Sequence, residues 1–296
     1  VRVFDGPPVA PVTPSEGLNS SNRDMTQPHD PAPSAEATCE VAVHALPYNG
    51  GTLHARSWTP ASASAATPPI VLLHDSLGAV SLWRSFPEAL ALATGRQVVA
   101  YDRAGFGESS PRVDTLTPSF VADEASTGLS AVVDRLGIER FVAMGHSVGG
   151  GMAIEAAAQL PGRVDRLITI AAQVFAEDRT LTGIRAARED FKAPEQLDRL
   201  RRYHGVKAPW VLSAWTETWL SAAFADWSLC EVLTRVQCPT LTIHGGLDEF
   251  GSTIHQELIR DRVSGQARKL LLPENGHMPH REAPEVVLAE IRRFLA

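Results

Sequence analysis

The chain has 296 residues, of which 44% are hydrophobic and 21% charged, ordinary proportions for a globular protein with a sizeable buried core. Its 27 Lys and Arg against 34 Asp and Glu leave a net charge of −7, which disfavours nucleic acid and anionic lipid as partners. Cys39, Cys230 and Cys238 fit neither a metal pattern nor a redox pair and read as reduced thiols; no apolar run approaches the roughly 20 residues of a membrane helix, and with no apolar signal core at the N-terminus a cytoplasmic location is expected.

Residues 1–37 are rich in Pro, Ser and Asn and show no period of a strand or a helix, so they are expected to form a flexible leader. From Cys39 two alternating segments, CEVAVHAL and TLHARSW, flank Asn49-Gly50-Gly51 and predict an antiparallel hairpin. The continuous apolar run PPIVLLH follows, then a helical stretch around Leu82–Leu92, then QVVAYD. Further on, FVAMG, VDRLITIAA and TLTIHG alternate with helical patterns at 118–136 and 148–160, and APEVVLAEIRRFL closes the chain as a helix with Pro in its first turn. Apolar strands alternating with helices describe a doubly wound parallel sheet buried on both faces. The alternation breaks at 172–236, too long for a plain loop and mostly helical in pattern. The expected organisation is therefore a core of 38–171 and 237–296 with a helical cap of 172–236 over the carboxyl ends of the strands.

Gly145-His146-Ser147-Val148-Gly149 lies between the strand FVAMG and the helix opening at Val148, the strand–turn–helix context of a nucleophile elbow. A serine hydroxyl is a weak nucleophile unless it is exposed, aimed and paired with a base, and a sharp turn provides the first two. Gly145 and Gly149 remove the Cβ atoms that would obstruct the close approach of strand and helix.

With the elbow, PPIVLLHDSLG, the segment AYDRAGFGESS, which is similar to a D-x-R-G-x-G-x-S stretch, and the loop LLPENGHMPHREAPEVV occur in one order, and from Cys39 onward the chain resembles the α/β-hydrolase superfamily. The resemblance implies an eight-stranded, mostly parallel sheet with an inserted helical cap. It also implies a triad in the order serine, acid, histidine: Ser147 as nucleophile, Asp248 after TLTIHG as the orienting acid and His277 after KLLL as general base. Glu249 is the alternative acid and otherwise a solvated neighbour; His280 is the alternative base, otherwise a capping or surface residue. The oxyanion donors implied are the backbone N–H groups of Val148 and Ser76. Family members commonly carry His-Gly where this chain has His74-Asp75, a departure that sets a carboxylate near the site or merely ties up its own loop. His74, Asp75, His146, Trp215 and Trp219 are the candidate substrate-binding side chains. His146, on the wrong side of a tight turn to accept the serine proton, is otherwise a packed side chain, and the two tryptophans, four apart on one helix face, form an apolar wall or fasten the cap.

The expected chemistry is hydrolysis of a carboxylic ester, lactone or thioester of a small apolar substrate through an acyl-enzyme, with no metal or organic cofactor. The same triad on this fold also serves C–C bond hydrolysis of ring-cleavage products or diketones. A binding protein that retains the pocket but turns over little is a third reading. Membranes and nucleic acids are not expected partners, and oligomeric state is not legible in the residues.

Overall fold

The computed structural model describes residues 38–296, so the expected leader at 1–37 lies outside the described residues. Strands β1 (Cys39–Tyr48) and β2 (Gly51–Pro60) form the predicted hairpin, joined by Asn49 and Gly50, both at positive φ, as the two-residue turn requires. Next come β3 (Ile70–Leu73), α1 (Phe86–Thr94), β4 (Val98–Tyr101), α2 (Phe120–Ser126) and α3 (Gly128–Arg135). The middle of the chain supplies β5 (Phe141–His146), α4 (Val148–Gln159), β6 (Val164–Ile170), α5 (Asp178–Asp190), α6 (Pro194–His204), α7 (Ala208–Trp219) and α8 (Cys230–Leu233). β7 (Thr240–Gly245), α9 (Ile254–Arg262), β8 (Ala267–Leu272), α10 (Pro279–Glu282) and α11 (Pro284–Leu295) complete it.

The sheet has eight strands in the order β1-β2-β4-β3-β5-β6-β7-β8; β1 and β2 are antiparallel to their neighbours and the rest run parallel. The central strand β3 is apolar throughout because both faces are covered. In β3, Val71 and Leu73 join an apolar cluster with Val148, Met152 and Phe141, whereas Ile70 and Leu72 point to the opposite cluster with Trp83, Phe86, Val287 and Ile291. Among the described residues no helix is long and apolar enough to cross a membrane.

Two of the helical stretches are interrupted. The stretch 118–136 is two helices, because Thr127 leaves helical geometry at φ −116°, ψ −90° and turns its hydroxyl back onto Asp123 O at 2.7 Å. The stretch at Leu82–Leu92 is broken by Arg84 at φ 55°, so a short turn at Val80–Trp83 precedes α1.

At the junction of β5 and α4, Ser147 takes φ 56°, ψ −126°, an unfavourable conformation for a residue with a Cβ. Its flanks leave no room for side chains. A Cβ on Gly145 would lie 2.0 Å from Gly149 O, and one on Gly149 would lie 2.2 Å from Leu73 O. The second contact is with β3 rather than β5, so the turn is wedged between two strands. Gly149→Ala is therefore expected to cost at least the roughly 1–3 kcal/mol of an overpacked core, or to prevent folding. Gly162→Ala, with nothing within 4 Å of its Cβ, is expected to stay within about 0.5 kcal/mol of the parent in the same thermal denaturation series.

Candidate active site

Ser147 stands where β5 ends, 7% exposed, with its N–H held by Ile170 O at 2.9 Å. Its hydroxyl donates to Gln173 Oε1 at 3.2 Å. Ser147 and His277 line one cavity of about 50 Å³, together with Asp75, Ser76, Trp215 and Trp219.

The loops after β7 and β8 meet because Gly245 has no side chain: a Cβ there would lie 2.1 Å from Gly276 O. Leu247 N–H then donates to Asn275 O at 2.9 Å and Gly246 N–H to Leu272 O at 2.8 Å. This brings Asp248 and His277 together, with Nδ1 of the imidazole 2.9 Å from both carboxylate oxygens. Asp248 Oδ1 also accepts from the N–H groups of Phe250 (2.8 Å) and Gly251 (3.1 Å). Burial alone would raise the Asp248 carboxyl, but the His277 charge and hydrogen bond, with His244 and the Phe250 amide, outweigh it and hold the group at about 2. For His277 burial alone would lower the pKa, and the Asp248 charge and hydrogen bond push it above the ordinary histidine value.

With Nδ1 engaged by the acid, Nε2 is the nitrogen of His277 left for proton transfer. The histidine loop is clamped by a side chain the sequence reading missed: Glu282 accepts from the N–H groups of Gly276 (2.5 Å) and Met278 (3.1 Å). Glu249 is exposed.

The turn after β3 presents Ser76 to the cavity. Within that turn Leu77 N–H goes to Asp75 Oδ1 at 3.0 Å and Gly78 N–H to Asp75 O at 3.2 Å, so these bonds use two amides and not that of Ser76. Val148 is the first residue of α4, where an amide has no intrahelical acceptor.

Two of the candidate substrate-binding residues do not reach the cavity. His74 is buried behind it, with Nδ1–H donating to Asp75 O at 2.8 Å and Nε2 accepting from Arg103 N–H at 3.2 Å, and burial pushes it well below the ordinary histidine range. His146 is also buried: Nε2–H donates to His277 O at 2.8 Å while Nδ1 lies 3.2 Å from Asp75 Oδ2. Both ring nitrogens thus face oxygen atoms of other loops.

Asp75 reaches both ways, lining the cavity and bonding His146 and its own loop. Burial would raise its carboxyl, but the hydrogen bond and charge of His146, with His74 and Arg281, hold it below the usual carboxylate range. His280 needs correction too: instead of a surface or capping position it is buried, its ring 4.8 Å from that of His146 and 5.2 Å from Trp83.

Trp215 and Trp219 both line the cavity and both pack: Trp215 lies 6.0 Å from the Phe250 ring, and Trp219 lies 5.0 Å from Phe224 and 5.4 Å from Trp227. Gln173, Thr180, Ile184, Phe250, Leu77 and Met278 complete the wall. None of the six stood out in the sequence, since each comes from a loop or helix whose direction local pattern does not encode.

The chain belongs to the α/β-hydrolase fold family, whose sequence profile matches residues 68–284. It is 29% identical over 250 residues to the dihydrolipoyllysine-residue acetyltransferase component of the acetoin cleaving system of Pseudomonas putida, covering 77% of this chain and 63% of that protein. It is 25% identical over 267 residues to an sn-1-specific diacylglycerol lipase of Mus musculus, covering 81% of this chain and 85% of the lipase. Against a serine hydrolase of Homo sapiens the identity is 27%, over 62% of this chain and 64% of the relative. The match thus spans less than two thirds of the first and third of these relatives. Among solved structures, 2-hydroxy-6-oxo-6-phenylhexa-2,4-dienoate hydrolase of a Rhodococcus species superposes with a TM-score of 0.70 at 18% identity, covering 87% of this chain and 99% of that one, a likeness of fold.

The acid–imidazole pair makes a direct prediction. In an NMR titration the His277 ring is expected to lose its proton above the ordinary midpoint of about 6.5, and Asp248→Asn to bring that midpoint down. A wild-type midpoint below 6.5 would contradict the pairing.

Proposed function

We propose that this chain is a serine hydrolase that cleaves carboxylic esters, with lactones and thioesters as variants, of small acyl groups through an acyl-enzyme. The observation that carries this reading is the Asp248–His277 pair opening onto the same cavity as Ser147. Ser147 attacks the carbonyl carbon while His277 Nε2 takes its proton, and the N–H groups of Val148 and Ser76 receive the charge that develops on the carbonyl oxygen. Rotation about the Ser147 Cα–Cβ bond moves the hydroxyl from Gln173 to His277 as substrate arrives. His277 then protonates the leaving alcohol and activates the water that frees the acid, while Asp248 keeps the ring in the useful tautomer and balances its charge. These steps call on no metal or organic cofactor.

The names of two relatives, a diacylglycerol lipase and a serine hydrolase, support hydrolysis. The size of the cavity selects among acyl groups: about 50 Å³ is room for only a few water-sized groups, which suits acetyl to butyryl chains and disfavours the long chains of lipid esters. We take 172–236 as a helical cap over the 38–171 and 237–296 core. Thr180 and Ile184 on α5, and Trp215 and Trp219 on α7, supply the wall opposite Ser147.

A fluorophosphonate probe is expected to label wild type and not a folded Ser147→Ala; equal labelling of both would remove Ser147 from the role. Across nitrophenyl esters, kcat/KM is expected to peak between acetyl and butyryl and to fall at least about tenfold by octanoyl. Silence on all of them, with rapid decay of a dienone chromophore, would favour C–C cleavage instead.

Activity follows the protonation of the base. His277 serves only when neutral, and its midpoint is raised, so kcat/KM is expected to climb with pH through a value above about 6.5. A flat profile between pH 5 and 9, with chemistry limiting, would contradict the assignment.

A further inference from the structure

Gln173 is a buried carboxamide, 2% exposed, in an otherwise mostly apolar cavity wall, and among the described residues its one hydrogen bond accepts the proton of Ser147 Oγ. The backbone that carries it is held from both sides. Ala171, at the end of β6, takes φ 49°, a left-handed conformation that an alanine adopts at a cost, and its N–H is fixed to Ile243 O at 2.8 Å. Beyond Gln173, Val174 N–H donates to His255 Nδ1 at 3.3 Å, Val174 O accepts from Leu229 N–H at 2.7 Å, and His255 is itself tied to Glu177 at 3.1 Å. The side chain is thus delivered to the nucleophile by a constrained segment rather than left to a flexible loop. Thr180, another polar group of the wall, already donates to Phe250 O.

The acyl-enzyme removes the partner that Gln173 has in the empty site. The hydroxyl turns to His277 as substrate arrives, and once Ser147 Oγ is bonded to an acyl carbon it carries no hydrogen, so Oε1 loses its donor. A plain alkyl acyl group offers nothing in exchange. An oxygen on the α-carbon is separated from Oγ only by the carbonyl carbon and the α-carbon, within reach of a carboxamide whose Oε1 lies 3.2 Å from Oγ. A hydroxyl there can donate to Oε1 or accept from Nε2.

We infer that Gln173 reads the acyl group, and that the preferred substrates are esters of short 2-hydroxy acids or similarly oxygenated acids. The inference rests on the serine-ester reading above and narrows its substrate class. A site built around a buried hydrogen-bonding group discriminates strongly against an isostere that cannot pair with it.

The test uses phenyl lactate and phenyl isobutyrate, whose acyl groups differ by a hydroxyl in place of a methyl. For each, kcat/KM is divided by the rate of hydroxide hydrolysis to remove intrinsic reactivity. Wild type is expected to favour lactyl by at least about tenfold. In Gln173→Met and Gln173→Leu, checked for folding by thermal unfolding, the ratio is expected to collapse towards one or invert, a change of preference that a merely structural role would not produce. A wild type that favours isobutyrate, or variants that retain the lactyl preference, would overturn the inference while Ser147-dependent turnover of both esters leaves the hydrolase reading standing. Failure to turn over either ester, with no loss in Ser147→Ala, would overturn both.

Discussion

A serine in a left-handed conformation, wedged between the ends of two parallel strands, is the constraint on which the rest of this molecule is arranged. At φ 56°, ψ −126°, Ser147 carries backbone strain of about 1–3 kcal/mol. What offsets it is the packing of α4 directly onto β3 and β5, possible only because Gly145 and Gly149 have no side chains to hold the elements apart. The hydroxyl is thereby raised at the carboxyl edge of the sheet. The loops after β7 and β8 reach that same edge, drawn together where Gly245 admits the backbone at Gly276.

The helices between β6 and β7 grip the loops around the site. His204 accepts Gly107 N–H at 2.9 Å and donates to Leu77 O at 2.9 Å, joining α6 to the loop after β4 and to the Ser76 turn. Both bonds use the neutral ring, and burial holds His204 at about 4. Lys207 donates to the carbonyls of Phe106, Gly107 and Ser109. Arg179, on α5, binds Asp248 O at 2.9 Å, and Thr180 binds Phe250 O. The groups of the proposed site are thus held by neighbours that are themselves held, the physical content of a preorganised site.

The sequence made the sheet and the elbow legible because both are local patterns: apolar runs bounded by turns, and glycines two residues either side of a serine. The acid and histidine loops were legible through the order of their motifs. What escaped depends on meetings between distant segments. Gln173 gave no signal, since the left-handed backbone that aims it belongs to Ala171, where nothing in the residue type announces it. Glu282 is an ordinary acidic residue until the fold sets it beneath two amides of the histidine loop. His74 and His146 sit beside candidate site positions in the chain, yet tight turns send neighbouring side chains in opposite directions, and both became struts behind the cavity. The departure at Asp75 acquires a reason only in three dimensions, where its carboxylate pairs with His146 and so joins the Ser76 turn to the His277 loop.

The central claim is that one hydroxyl, one imidazole and two backbone amides face a single reacting carbon. A crystal structure of the protein after reaction with a fluorophosphonate tests it most directly, because the tetrahedral phosphorus adduct copies the shape of the intermediate. The account predicts phosphorus bonded to Ser147 Oγ, the phosphoryl oxygen within hydrogen-bonding distance of the Ser76 and Val148 nitrogens, and His277 Nε2 turned towards the adduct. Phosphorus on another residue, or a phosphoryl oxygen pointing away from both amides, would contradict it.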